Sequence, residues 1–171
     1  MARNTRNTIA LGSPAEIIRC AATRFGERLV LREVAPAADA SLREGRSVTY
    51  AELYRRTLRF CGALARQGLA PGERVAVLLP NVVELVITEW SCLLTGFVWV
   101  ALNARSSVDE IRDILSDSSP SVVVTDAHHH DTVAAVLPSG CLLIVTGSAW
   151  DAFLERADEI VLREPEPEAP V

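Results

Sequence analysis

From residue 49 onward the chain alternates two kinds of hydrophobic segment. One kind spaces its apolar residues at helical intervals, as in Tyr50, Leu53, Tyr54, Leu58, Cys61, Leu64 and Ala65. The other is short and apolar throughout: RVAVLL at 74–79, FVWVAL at 97–102, VVVT at 122–125 and CLLIVT at 141–146. Runs of branched residues that do not alternate with polar ones read as strands covered on both faces. Strand followed by helix, four times over, predicts an α/β fold with a mostly parallel sheet, right-handed crossovers and flanking helices.

Helix starts follow the capping-box spacing, in which a Ser, Thr or Asn side chain and a Glu three residues on satisfy each other's orphan backbone N–H groups. Ser13 with Glu16 opens a first helix, with Pro14 at the position where a missing N–H costs nothing. Thr49 with Glu52, Asn81 with Glu84 and Ser107 with Glu110 open three more, and Ser148 with Asp151 is a weaker version. Glu84 is thereby read as a capping residue rather than an acid–base group. Gly26 and Gly68 are placed as helix stops. In the helix over 82–95 the polar residues Glu84, Thr88, Ser91 and Thr95 share one narrow face, which predicts that most of its circumference is buried. Trp90 and Trp99 fall in buried segments and are expected in the core.

Ahead of this array, residues 29–34 and 47–49 can pair as a hairpin around an Ala/Gly-rich loop at 35–45 that is expected to be mobile. The organisation predicted is a single partial domain over 1–171, with a flexible tail at 1–12, an α/β body at 13–158 and an acidic, proline-rich linker-like tail at 159–171.

Composition changes this picture in one respect. Hydrophobic residues make up 49% and charged residues 23% of 171, a globular balance. The net charge of −5 resides wholly in 151–171, where seven acids meet two arginines; over 1–150, 15 acids match 15 arginines. With no basic stripe, nucleic acid is not expected as a partner. The polar start at 1–10 lacks the apolar segment of a secretory signal, and the longest apolar stretch, 93–102, is well short of the roughly 20 residues of a membrane span. A soluble cytoplasmic protein without a membrane partner is expected. Cys20, Cys61, Cys92 and Cys141 form no C-x-x-C pair, and Cys61 and Cys92 lie in apolar segments as buried free thiols would.

One ordered set of short motifs reaches beyond the rhythm itself. Thr49-Tyr50-Ala51-Glu52-Leu53 precedes Gly68-Leu69-Ala70-Pro71-Gly72-Glu73-Arg74-Val75. Leu79-Pro80-Asn81 with Glu84 follows, then Gly96, Asn103-Ala104-Arg105, Asp117-Ser118 and a strand ending in Thr125-Asp126. In order and spacing this stretch resembles the opening of adenylate-forming (AMP-binding) acyl- and aryl-CoA synthetases, although Ala101 stands where that family usually has proline. The resemblance implies a partial N-terminal domain of the adenylate-forming ligase fold. It also implies a complete ligase that uses ATP, Mg²⁺ and CoA to turn a carboxylic acid into its acyl-AMP and pass it to CoA or a carrier thiol. By the same resemblance, the Asn103, Ala104, Arg105 turn would approach the nucleotide end of CoA. In the family, the phosphate-binding loop, the aromatic ATP-binding motif, the ribose-binding aspartate and the catalytic lysine fall beyond the position of residue 171.

The chemistry sharpens that last point. Joining a carboxylate to the α-phosphorus of ATP brings two anions together, which requires backbone N–H donors and cations aimed at the phosphates. This sequence has no lysine, its 17 basic residues all being arginine, and its nine glycines are scattered. The rigid fork of arginine does not replace lysine in a tight site. The chain alone is therefore expected to bind no cofactor and to be catalytically incomplete. Its expected partner is the missing remainder of the ligase or another copy.

Other candidates read as structure. Asn103 to Arg105 sit at the carboxyl end of a predicted strand, where doubly wound sheets bind ligands, and are either a plain turn or a CoA-proximal one. His128, His129 and His130 are consecutive, so they point apart and cannot gather the ligands zinc requires; solvated residues in a first helical turn are expected. Asp126 is read as the cap of that helix. Ser106, Ser107, Ser118 and Ser119 lack the G-x-S-x-G setting of a hydrolytic nucleophile. No catalytic residue and no metal site are assigned. Two rivals stand beside the ligase reading: a truncated, non-catalytic module that pairs with the rest of such a ligase, and an unrelated doubly wound ligand-binding domain.

Overall fold

The computed structural model describes residues 13–36, 42–157 and 160. The chain begins with α1 (Pro14–Phe25), an antiparallel hairpin of β1 (Leu29–Pro36) and β2 (Leu42–Thr49), and α2 (Tyr50–Arg66). Four strand–helix units follow: β3 (Arg74–Leu78) with α3 (Val83–Thr95), β4 (Val98–Ala101) with α4 (Val108–Ser118), β5 (Val122–Thr125) with α5 (His130–Ala134), and β6 (Leu142–Val145) with α6 (Ser148–Glu155). The expected tails at 1–12 and 159–171 and the centre of the expected loop, 37–41, lie outside the described residues, apart from Ile160.

The four later strands form one parallel sheet in the order β4-β3-β5-β6, with Val75 opposite both Trp99 and Val122, and Val122 opposite Leu142. From β3 the chain steps one way to β4 and then crosses back over β3 to β5. Right-handed crossovers therefore place α3 and α4 on opposite faces. Strand alternation divides the core accordingly. Val75, Val77, Val122, Val124 and Ile144 pack under α2, α3 and α6, while Ala76, Leu78 and Val123 pack against Ile111 and Leu115 of α4 and Val133 of α5. Each fully buried valine here contributes on the order of 1.5–3 kcal/mol. Phe60 of α2 stacks on Trp150 of α6 with ring centroids 4.4 Å apart, which holds the last helix to the body.

Local signals are met where nothing distant competes. Ser13–Glu16 and Ser107–Glu110 form complete capping boxes. Thr49 accepts the Glu52 N–H at 3.2 Å, but the Glu52 carboxylate turns to Arg56 at 2.5 Å, leaving half a box. α6 starts at Ser148 itself, behind Gly147 at φ 99° and with no side-chain cap, so the Ser148–Asp151 box is absent.

Further expectations are corrected. The hairpin is longer than predicted, because β2 begins at Leu42, and Arg32 pairs with Glu44 at 2.5 Å across residues expected to be loop. Most of α3 is at least partly covered, as expected, but it buries its polar stripe beside Val83, Ile87 and Cys92. Glu84, Thr88 and Ser91 are among its most buried residues, whereas Leu93 is 54% exposed and Trp90 only partly buried. The hydroxyls need no water, since Thr88 donates to the Glu84 carbonyl at 2.7 Å, Ser91 to that of Ile87 at 2.7 Å and Thr95 to that of Ser91 at 2.6 Å. Ser91 also reaches the Thr57 carbonyl at 3.3 Å, so the stripe of small side chains forms the seam with α2. Trp99, too, is partly rather than fully buried. No helix among the described residues is long and apolar enough to cross a membrane.

Candidate functional site

In a doubly wound sheet, ligands bind beyond the carboxyl ends of the strands where successive crossovers part. Here that point lies above β3, with β4 on one side and β5 on the other. Three connections emerge there, at 79–82, 102–107 and 126–129.

The connection after β4 is tightly built. Leu102 N–H still donates to Val77 at 2.9 Å; then the Asn103 side chain accepts the Arg105 N–H at 2.9 Å, and the Asn103 carbonyl accepts that of Ser106 at 2.9 Å. Asn103, Ala104 and Arg105 are all exposed, and the Arg105 guanidinium makes no ion pair among the described residues. The turn therefore presents a cation on a rigid mount at the carboxyl end of the sheet. The N–H groups of α4 just behind it are occupied by its own Ser107–Glu110 box, at 3.3 and 2.7 Å.

After β5, Asp126 Oδ1 accepts the His129 backbone N–H at 2.9 Å and lies 2.7 Å from His129 Nδ1. Asp126 thus caps the turn leading into α5 rather than α5 itself, whose N-cap is His129 without a side-chain bond. His128 meets His129 edge to face at 4.7 Å, and His130 lies 2.8 Å from its neighbour Asp131. Only His130 is in α5; the other two histidines occupy the preceding turn. Among the described residues, no three His, Cys, Asp or Glu side chains gather as metal ligands would.

The connection after β3 holds an arrangement that sequence reading missed. Asn81 does not cap α3; its N-cap is Val82, without a side-chain bond. Glu33 of β1 instead accepts the Val83 N–H at 2.8 Å. Arg46 of β2 binds both carboxylates: Nε and Nη2 reach Glu33 at 3.0 and 2.6 Å, while Nη1 and Nη2 reach Glu84 at 2.5 and 2.6 Å. A bidentate, charge-assisted pair outcompetes the backbone bond that a capping box would have given Glu84. The Glu33 carboxyl is held below the usual carboxylate range, first by the hydrogen bonds from Arg46, which with the Val83 N–H outweigh the opposing effect of burial. The available signal was the opposed charge order of the hairpin, Arg32-Glu33 on one strand against Glu44 and Arg46 on the other. A cleft of about 260 Å³ lies beside this cluster, between the hairpin and the start of α3, lined mainly by Leu31, Glu33, Asn81, Val82, Leu85 and Val86.

The four cysteines are free; burial pushes Cys61 up to about 11 and Cys92 up to about 12, which makes them inert at neutral pH.

The AMP-binding enzyme family model matches residues 21–170. Over 119 residues the chain is 41% identical to a feruloyl-CoA synthase of Amycolatopsis sp, a stretch that is 70% of this chain and 24% of the relative. A fatty acyl CoA synthetase of Mycobacterium tuberculosis is similar in structure, with a TM-score of 0.70 and 28% identity over 88% of this chain and 30% of that one. A benzoate CoA ligase from Burkholderia xenovorans LB400 shares the fold, with a TM-score of 0.70, 23% identity, and coverage of 87% and 29%. The chain spans about a quarter of the length of the curated relatives it matches first.

Proposed function

Because this chain belongs to the AMP-binding enzyme family, we propose that it is the opening segment of a ligase that activates a carboxylic acid with ATP as an acyl-AMP and transfers the acyl group to CoA or a carrier thiol. The match across 21–170, on a fold shared with acyl- and aryl-CoA ligases, carries this reading. Within such a ligase the segment serves as scaffold and as one wall of the substrate cleft. Asn103, Ala104 and Arg105 face the nucleotide end of CoA, where the exposed guanidinium meets a phosphate as a charge-assisted donor.

The residues present do not by themselves fit ATP with Mg²⁺. No lysine stands anywhere in the chain, no glycine-rich loop cradles a triphosphate, and the described acids do not converge on a cation. No step of adenylation is therefore assigned to them, and the 171-residue chain by itself is inactive in this reading. Pyrophosphate exchange with a panel of carboxylic acids tests it: no exchange is expected from the purified chain, and turnover would reject the proposal.

A second reading is a separate, non-catalytic subunit that pairs with the rest of such a ligase. The exposed apolar side chains of Leu93 and Val98 favour it, at 54% and 47% exposure. Co-purification with a protein that carries the phosphate loop separates it from the first.

A further inference from the structure

Counting charges along 1–150 hides how they are arranged in space. α2 carries four arginines and one acid, while α4, on the other face of the sheet, carries four acids and one arginine. The acid of α2 is already engaged, since Glu52 Oε1 lies 2.5 Å from Arg56. The other three arginines, Arg55, Arg59 and Arg66, are exposed. Their spacing of four and seven residues sets them within about 40° of one another around the helix. Like charges aligned in this way repel and work against the helix that carries them.

The chain leaves the folded body at one end of this stripe. α6 runs alongside α2 in the same direction, with Trp150 stacked on Phe60 and Arg66 Nη1 donating to the Arg156 carbonyl. A cavity of about 120 Å³ lies at that point, lined by Ala63, Arg66, Gln67, Phe153, Arg156 and Ala157. Gly62 falls on the same line as the arginines, and without a Cβ it lets another backbone come close. Ile160 is half-buried, so beyond Ala157 the chain is still on the body.

Residues 158–171 hold five acids and one arginine, with Glu164, Glu166 and Glu168 at every second position. In an extended chain such positions recur every ~6–7 Å. The rise from Arg55 to Arg59 is ~6 Å. The eight residues from Ile160 to Glu168 reach up to ~26 Å. Arg66 and Arg55 are only ~16 Å apart along the axis.

We infer that the acidic segment 164–168 of this chain folds back along α2 and lays its carboxylates on Arg55, Arg59 and Arg66. The docked segment fixes the direction in which the chain leaves α6 and neutralises a face that would otherwise attract polyanions. Tethering favours this occupant, because an attached segment acts at an effective concentration in roughly the millimolar range. The acidic α4 of a second copy has no such advantage in dilute solution. The inference concerns the chain's own surface and stands whether or not the ligase reading does.

A nitroxide on Ala169→Cys, in a Cys20→Ser background that removes the exposed thiol, tests it through the amide signals of the isotope-labelled 171-residue chain. At low salt the Arg59, Gly62 and Ala63 signals should lose most of their intensity, and those of α4 should keep theirs. Salt at about 0.5 M should restore them by screening. So should Glu164→Gln, Glu166→Gln and Glu168→Gln together, which leave the folded body untouched. Undiminished signals, broadening centred elsewhere, or broadening that survives the three substitutions overturns the inference. Broadening in a mixture of nitroxide-bearing and separately isotope-labelled chains identifies a second copy as the occupant and overturns it as well. Heparin serves as a free polyanion in a second measurement. Glu164→Gln with Glu166→Gln should tighten its binding about tenfold, the worth of one charge-assisted bond. Asp113→Asn with Asp117→Asn on α4 changes the net charge equally and should alter binding less than about twofold. Equal gains from the two pairs would mean that only net charge matters, and the docked segment would be rejected.

Discussion

Arg46 holds Glu84 with both ends of its guanidinium, at 2.5 and 2.6 Å, across 38 residues of sequence. The Glu84 side chain is 4% exposed and that of Arg46 50%, so a charge that would be costly to bury is neutralised from the solvent side. Glu33 completes the cluster and ties the hairpin to the first turn of α3.

Arg46→Ala should destabilise the chain by about 2 kcal/mol, less than a fully buried pair because water can reach the vacated side. Arg46→Ala with Glu84→Gln should cost less than the two single changes together, by at least about 1 kcal/mol. Urea unfolding of the four proteins measures this coupling; strict additivity would mean that the two side chains do not support each other.

The same cluster gives the stability an acid limb. Glu33 has a folded-state pKa below its ordinary value, so its contribution is complete above the unfolded pKa of about 4.3 and is lost as pH falls through the folded one. Melting temperature should drop more steeply below about pH 4.5 in the parent than in Glu33→Gln. Superimposable acid limbs would count against the assignment.

Thiol reactivity should sort by depth. Cys20 is exposed, Cys61 and Cys92 are buried, and burial holds the half-buried Cys141 up at about 11. An aromatic disulfide reagent at pH 8 should modify Cys20 first, a phase absent from Cys20→Ser, and reach Cys61 and Cys92 only on unfolding. Fast labelling of more than two thiols in the native protein would contradict the packing described.

Two helix ends offer opposite substitutions. Ser119 closes α4 at φ 44° and Gly96 closes α3 at φ 75°, both left-handed. Ser119→Gly should stabilise by up to about 1 kcal/mol, and Gly96→Ala should cost about 1 kcal/mol. A Cβ at Gly96 would meet Pro71 at an ordinary 3.5 Å, which leaves backbone strain as the cause. Thermal melts of both variants check the signs.

If Arg105 meets a CoA phosphate, Arg105→Ala in the assembled ligase should raise KM for CoA about tenfold, as expected for one charge-assisted bond near 1.4 kcal/mol. Acid-dependent pyrophosphate exchange should stay unchanged, and so should stability, to within about 0.5 kcal/mol. An unaltered KM would remove the residue from the site.

The residues by themselves determined the elements and their order. Short apolar runs of branched residues bounded by turns read as strands, which all four are, although β4 is covered only in part; Ser13–Glu16 and Ser107–Glu110 are caps whose partners lie within one helical turn. The motifs from Thr49 to Asp126 were legible for the same reason, being local in spacing. Asn81–Glu84 has the same spacing and failed, because Arg46, far away in sequence, offers Glu84 a stronger partner. The facing of α3 was decided only in three dimensions. Polarity points a stripe of hydroxyls to water only while those hydroxyls lack partners, and here the carbonyls of their own helix and of α2 supply them. Once satisfied, small side chains pack against a neighbouring helix as well as apolar ones do, so the stripe joins Val83, Ile87 and Cys92 in the interior while Leu93 is left outside.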